Sequence, residues 1–149
     1  MMNYKEEAMA KQMWKPGTML YPVPAVMVSC RSSEGVNNII TVAWTGIICS
    51  EPAMLYVSIR PERFSHGIIK DTGSFVVNLP TEGLAYALDF CGVKSGRDIN
   101  KFEHLGLTPQ KSNLVDAPSI GECPVSLECR VKDIISLGSH DMFIAEILC

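Results

Sequence analysis

Apolar residues recur at strand spacing in six stretches of the chain, and turn-forming residues separate most of them. Pro22 and Pro24 forbid helix before the first stretch, so residues 25–31 (AVMVSCR) are expected to continue an extended entry as a strand. SSEGVNN is turn material. Residues 39–47 (IITVAWTGI) are rich in β-branched side chains and read as one second strand, with Thr41, Ala43 and Thr45 on one face and Val42 and Trp44 on the other. The CSEPA break precedes a third strand at 54–60 (MLYVSIR), and SFVVNLP makes a fourth that Pro80 ends. In residues 123–137 the first half alternates: Val125, Leu127, Cys129 and Val131 share one face, Ser126, Glu128 and Arg130 the other, as in a half-buried strand. GSHD turns the chain, and MFIAEILC begins a last strand.

The helical patterns are short. Residues 5–13 predict one helix that ends before KPG. A second spans 66–72, with Ser65 as its N-cap, Gly73 as its stop, and Phe64 and Ile69 at the spacing of a hydrophobic staple. Residues 83–92 suit two to three turns and KFEHLGL one turn, whereas VKSGRDIN and residues 108–121 read as irregular. Many short strands with a few small helices predict a mainly β, α+β barrel-like domain, single at this length of 149 residues. The chain stops at Cys149 in an apolar run, which leads us to expect that the natural domain continues beyond it.

Composition narrows the field. A hydrophobic fraction of 47% and a charged fraction of 19% fit a globular protein. A net charge of −3 argues against a nucleic-acid surface but leaves room for a local basic pocket. No apolar run reaches membrane-spanning length, and the acidic start is not a secretory signal, so a cytoplasmic protein without membrane contact is expected. None of the six cysteines forms a C-x-x-C pair, and no Cys/His cluster has metal-ligand spacing. Buried structural thiols are therefore expected, and no metal. Cys123 and Cys129, six residues apart, would share a strand face at a separation of roughly 20 Å and should not pair.

The candidate chemistry lies in three places. In SIRPERFSHGIIKDTG, Arg60 and Arg63 flank a helix start. Two guanidinium groups, the Ser65 hydroxyl and free helix N–H groups make a phosphate cradle, although ordinary surface arginines beside a capped helix would look the same. His66 alone reads as a solvated residue. The small side chains of Thr41, Ala43 and Thr45 would let a flat ligand lie close to the backbone, or would simply face solvent. In DFCGVKSGRDINK, Gly92 and Gly96 permit tight turns, with Ser95 and Lys101 as donors. There is no catalytic triad or carboxylate pair, and no G-x-G-x-x-G nicotinamide fingerprint.

In order along the chain, KPGTMLYPVPAVMVSC, NIITVAWTG, SIRPERFSHGIIK, FVVNLP, CGVKSGRDINKF and ECPVSLEC resemble the flavin reductase-like, FMN-binding split-barrel family, especially its flavoredoxin-like members, over most of residues 15–149. The resemblance implies a Greek-key split β-barrel, a homodimer, and FMN near the dimer interface. It places Arg60, Arg63, Ser65 and His66 at the phosphate and ribityl end. Thr41, Val42, Ala43, Trp44 and Thr45 would lie beside the isoalloxazine, and Ser95, Gly96 and Lys101 in a loop over the cofactor. His140 would point towards the flavin or the dimer partner. Relatives continue past the strand that begins at Met142. The implied activity is NAD(P)H-dependent flavin reduction, with NADH or NADPH as a transient donor. The alternative is a flavoredoxin-type carrier that passes electrons to a redox partner protein, and a third is a split barrel that binds another ligand without catalysis.

Overall fold

The computed structural model describes residues 11–149, so most of the helix expected at 5–13 lies outside the described residues. The strand-forming runs fold as β1 (Val26–Arg31), β2 (Asn37–Val42), β3 (Thr45–Ser50), β4 (Ala53–Ile59), β5 (Ser74–Leu79), β8 (Val125–Ser136) and β9 (Asp141–Ile147). They form one sheet in the order β2-β1-β5-β8-β9-β4-β3, with every neighbouring pair antiparallel. β2 and β3 stand at opposite ends of that order, yet only Ala43 and Trp44 lie between them in the chain. Two residues cannot span an open seven-stranded sheet, so the sheet must curl until its ends nearly meet. The result is a barrel split between β2 and β3, as expected.

Residues 39–47 are thus two strands that meet at a corner, not one strand. Beyond the corner the Ser58 amide donates to the Trp44 carbonyl at 2.9 Å, and the Thr45 hydroxyl donates to the Tyr56 carbonyl, fastening β3 to β4. The shared face of Thr41, Ala43 and Thr45 therefore does not exist.

Two apolar clusters fill the interior. The barrel core gathers Val28, Ile40, Val57, Ile69, Phe75, Cys129 and Phe143 among others. A second cluster, with Met27, Ile39, Ala87, Cys91 and Phe102, lies under α2 (Ala85–Val93) and α3 (Lys101–Leu105). β1 serves both: Val26, Val28 and Cys30 face the barrel and Met27 faces the helices, which is why its sequence is almost continuously apolar. Residues 108–121 are mostly irregular, apart from the short paired strands β6 (Pro109–Gln110) and β7 (Ser119–Ile120).

β8 departs from simple alternation. Cys129 is buried in the barrel as expected, but Val125 at the strand's start is 45% exposed. Glu128, assigned to the polar face, is 5% exposed. Its carboxylate accepts hydrogen bonds from the backbone amides of Asn113 at 2.8 Å and Leu114 at 2.6 Å. The irregular 111–118 segment covers this side of the strand, and the carboxylate satisfies the segment's backbone donors.

All six cysteines are free. Cys123 precedes β8 and packs against the helix-covered cluster, so it does not share a face with Cys129. Burial pushes the Cys30 and Cys129 thiols up to about 12 and Cys91 to about 11, which keeps them protonated at neutral pH. In native protein a thiol-titrating disulfide reagent should react readily with the exposed Cys149 and reach Cys30, Cys91 and Cys129 only after unfolding. Mass mapping of the labelled sites checks this. Fast native labelling of Cys30 or Cys129 would mean that the barrel opens locally, and of Cys91 that the helix-covered cluster does.

Candidate functional site

α1 (Phe64–Thr72) starts one turn after β4 ends. Its N-cap is Arg63, with extended backbone (φ −72°, ψ 138°) and no side-chain cap bond. Ser65 is therefore not the cap but the second helical residue, and Phe64 lies inside the helix, which removes the staple pair. The Arg63 amide already bonds the Arg60 carbonyl at 3.0 Å, and this turn sets the helix start earlier than the side chains suggest. Ser65 is instead 1% exposed, and its hydroxyl accepts from Asn38 Nδ2 of β2 at 2.7 Å. Gly73 ends the helix as expected, in the left-handed region at φ 69°, and its amide bonds the Ile69 carbonyl.

A cleft of about 290 Å³ opens between the start of α1, β2 and the segment after α2. Arg63, Lys94, Arg97 and Lys101 bring four cationic side chains to its walls against one carboxylate, Glu62, and Ser65 and Ser95 add hydroxyls. Gly96 lies so close to Asn38 that a Cβ there would sit 2.1 Å from Oδ1, so only glycine fits. Arg97 Nη1 donates to the Glu62 carbonyl at 3.0 Å, and its guanidinium stands 5.4 Å from the centre of the Phe64 ring, pinning the loop across the cleft. Lys101 is 3% exposed and donates to the carbonyls of Ile39 at 2.7 Å and Cys91 at 2.9 Å. Burial lowers its pKa, and the neighbouring Arg63 charge pushes the same way.

A second cleft, of about 180 Å³, follows the corner between β2 and β3 and is lined by Thr41, Val42, Ala43, Trp44, Arg60 and His140. Ile40 and Arg63 border both clefts, so the two adjoin. The Trp44 and His140 rings lie 4.6 Å apart and form one wall. Burial, helped by the Arg60 charge, lowers the His140 pKa below its ordinary 6.5, so this ring is neutral at pH 7. The Thr41 hydroxyl donates to the Leu88 carbonyl and ties the cleft to α2.

Of the residues singled out in the sequence, Thr41 to Trp44, Arg60, Arg63, Ser65, Ser95, Gly96 and Lys101 border these adjoining clefts. Thr45 borders neither, its hydroxyl being committed to Tyr56. His66 also borders neither, and it is not solvated: it is 6% exposed, with Nε2 2.8 Å from Asp141 Oδ2 and its ring edge against Phe143. Asn38, Lys94 and Arg97 are additions from the structure. Asn38 ends the SSEGVNN run, which reads as turn material, but β2 already begins at Asn37; Lys94 and Arg97 lie inside the Gly-rich segment already noted.

Hydrogen bonds from Ser136 and His66 hold the Asp141 carboxyl below its ordinary 3.8. A depressed carboxylate contributes stability that is present above the unfolded pKa and is lost as pH falls through the folded one. The melting temperature of Asp141→Asn should therefore lie below wild type at pH 7, and the two should converge under acid conditions. Parallel melting curves across the whole pH range would contradict this.

The family profile described as "Flavin reductase like domain" matches residues 18–148, and the chain belongs to that family. The flavoredoxin of Desulfovibrio vulgaris (Miyazaki F) superposes with a TM-score of 0.88 at 34% identity, covering 94% of this chain and 75% of its own. The flavoredoxin of Methanosarcina acetivorans gives 0.87 at 28%, covering 95% and 74%. A protein of Archaeoglobus fulgidus is 38% identical over 129 residues, 87% of this chain and 72% of the relative. The fold and the family together define an FMN-type flavoprotein of the oxidoreductase and electron-carrier class.

Proposed function

We propose that the chain is a single FMN-binding split-barrel domain acting as an NAD(P)H-dependent flavin reductase. The reading rests on one observation: a cationic cleft and a cleft walled by the Trp44 and His140 rings share Arg63 and Ile40. The donor set fits a phosphate dianion. Arg63, Lys94 and Arg97 would balance its charge, while Ser65 and Ser95 would supply hydroxyl donors. Lys101, with two of its three N–H donors on the Ile39 and Cys91 carbonyls, would hold β2 and α2 together beneath the phosphate and add positive potential. The isoalloxazine would lie along Thr41, Val42, Ala43 and Trp44, with Arg60 and His140 at its edge. When bound, FMN supplies the hydride and electron chemistry, so the protein needs no triad of its own. Trp44 and His140 wall the ring cleft and restrict water, and neutral His140 avoids adding a second cation beside Arg60.

A homodimer is part of the proposal. Ile47 (67% exposed) and Ile48 (47% exposed) lie on β3, an edge strand of the sheet, where a second copy would cover them. No helix among the described residues is long and apolar enough to cross a membrane, and we place the protein in the cytoplasm.

The likeness to two flavoredoxins favours a second reading, in which the flavin takes electrons from a redox partner protein. Anaerobic spectra of the FMN-loaded protein separate the two. Bleaching of the yellow colour by NADH or NADPH at a rate that sustains turnover is the expected result. A flavin inert to both nucleotides, yet reduced by a reduced electron-transfer protein, would establish the carrier instead.

A further inference from the structure

We infer that the His66–Asp141 pair is a positioning device that holds the His140 ring in the wall of the ring cleft, an inference that rests on the FMN reading for its effect on the ligand. Neither His66 nor Asp141 borders either cleft. His140 belongs to the short turn between β8 and β9, which the Leu137 amide closes by donating to the His140 carbonyl at 2.9 Å. This turn has little packing of its own. Leu137 is exposed, and among the described residues the one hydrogen-bond partner of the His140 ring is its neighbour Ser139. An anchor outside the turn must therefore fix the imidazole against Trp44.

Asp141 supplies that anchor. It opens β9, opposite Ile59 of β4 and Ser136 of β8. Its carboxylate lies 2.8 Å from His66 Nε2. A carboxylate only accepts, so Nε2 carries a hydrogen and donates it. The His66 ring is itself held on two sides: its edge meets the buried Phe143 ring at 5.2 Å, and its backbone belongs to the first turn of α1. Successive side chains along an extended chain point to opposite sides. With Asp141 drawn in towards α1, His140 is turned the other way, into the cleft that it lines with Trp44 and Arg60. Releasing Asp141 would free the turn to rotate and carry His140 away from the Trp44 ring. The pair thus ties α1, whose start walls the cationic cleft, to the residue that walls the ring cleft.

The test reads the position of His140 by NMR in flavin-free protein. The Trp44 ring, 4.6 Å away, displaces the His140 ring-proton resonances, and Trp44→Leu measures that displacement. The other proteins are His66→Leu, His66→Gln, Asp141→Ala, Asp141→Asn and His66→Leu/Asp141→Ala, each checked by thermal melt. His66→Leu and Asp141→Ala should each lose most of the displacement, and the double variant should lose no more than either. Asp141→Asn keeps an acceptor for Nε2–H and His66→Gln keeps a donor, so both should retain it, even though Asp141→Asn melts earlier at pH 7. If His66→Leu does not fold, Asp141→Ala against Asp141→Asn carries the comparison. Titrations followed by flavin fluorescence then give the effect on the ligand. His66→Leu and Asp141→Ala should weaken FMN and riboflavin by the same factor, about three- to tenfold, the span of one lost aromatic contact. An undiminished displacement in both variants would make the pair an ordinary core contact and overturn the inference, as would a loss confined to FMN. A lost displacement with unchanged flavin affinity, or a wild type that binds neither flavin, would support the positioning role if His140 has moved and overturn the FMN reading of the ring cleft.

Discussion

Asn78→Ala should lower the melting temperature by roughly 6–20 °C, the largest stability loss expected of a single substitution outside the clefts. Asn78 is 0% exposed, next to the last residue of β5. Its Nδ2 donates to the Met27 carbonyl at 3.0 Å and to Ser29 Oγ at 2.9 Å, both on β1. Its Oδ1 accepts from the Ile120 amide at 2.9 Å on β7 and from Ser126 Oγ at 2.8 Å on β8. One side chain therefore joins three strands to β5. Ser29 extends the network by donating to the Pro118 carbonyl. Truncation leaves a cavity and several buried polar groups without partners, each costing about 1–3 kcal/mol. A net loss of about 3–5 kcal/mol, at roughly 2–4 °C per kcal/mol for a domain of this size, gives the stated fall. Differential scanning calorimetry checks it. A fall under about 3 °C would mean that water replaces the amide and that the network is not critical.

The same network shows where the sequence was legible and where it was not. Strands appear in sequence because burial on one or both faces writes a period or an apolar run. VMVSC, MLYVSI and FVVN could be placed to within a residue or two for that reason. Gly73 could be assigned because a helix stop in the left-handed region favours glycine. The corner at Ala43 and Trp44 could not, because it contains no glycine, proline or asparagine. It is imposed by closure of the barrel, a long-range condition that local pattern does not carry.

Buried polar residues were the least legible. Asn38, His66, Asn78, Lys101 and Glu128 are all nearly inaccessible, and each is held by a partner remote in sequence. Periodicity assigns such residues outward by default, which is how Glu128 was placed on the polar face and His66 in solvent. The charge cluster itself was visible, since Arg60, Arg63, Ser95, Gly96 and Lys101 all border the clefts. Their roles differ in a way that only packing decides. Lys101 spends its hydrogen bonds on two carbonyls, whereas Arg63 has no side-chain hydrogen bond among the described residues and borders both clefts.

That difference makes Arg63 the residue whose loss should harm FMN binding most directly. Arg63→Ala is expected to weaken FMN by roughly ten- to a hundredfold, the equivalent of about 1.5–3 kcal/mol for a charge-assisted bond, and riboflavin by only a few-fold. The backbone of Arg63 forms the extended N-cap of α1 without help from any side chain, so alanine can keep the helix start. Its carbonyl, which accepts from the His66 amide at 3.0 Å in the wild type, belongs to the backbone and should keep that bond in the variant. What disappears is the guanidinium at the junction of the two clefts. Lys94, Arg97 and Lys101 remain in the cationic cleft, which is why binding should weaken and not vanish. Riboflavin lacks the phosphate, so its smaller loss reports any contact of Arg63 with the ribityl chain or the ring. Raising the salt concentration should narrow the gap between wild type and variant for FMN, because an exposed part of the attraction is screened. Parallel titrations of both ligands at two ionic strengths measure all of this. Equal losses for FMN and riboflavin, unaffected by salt, would show that Arg63 supports the fold or the ring cleft and that the phosphate is read elsewhere.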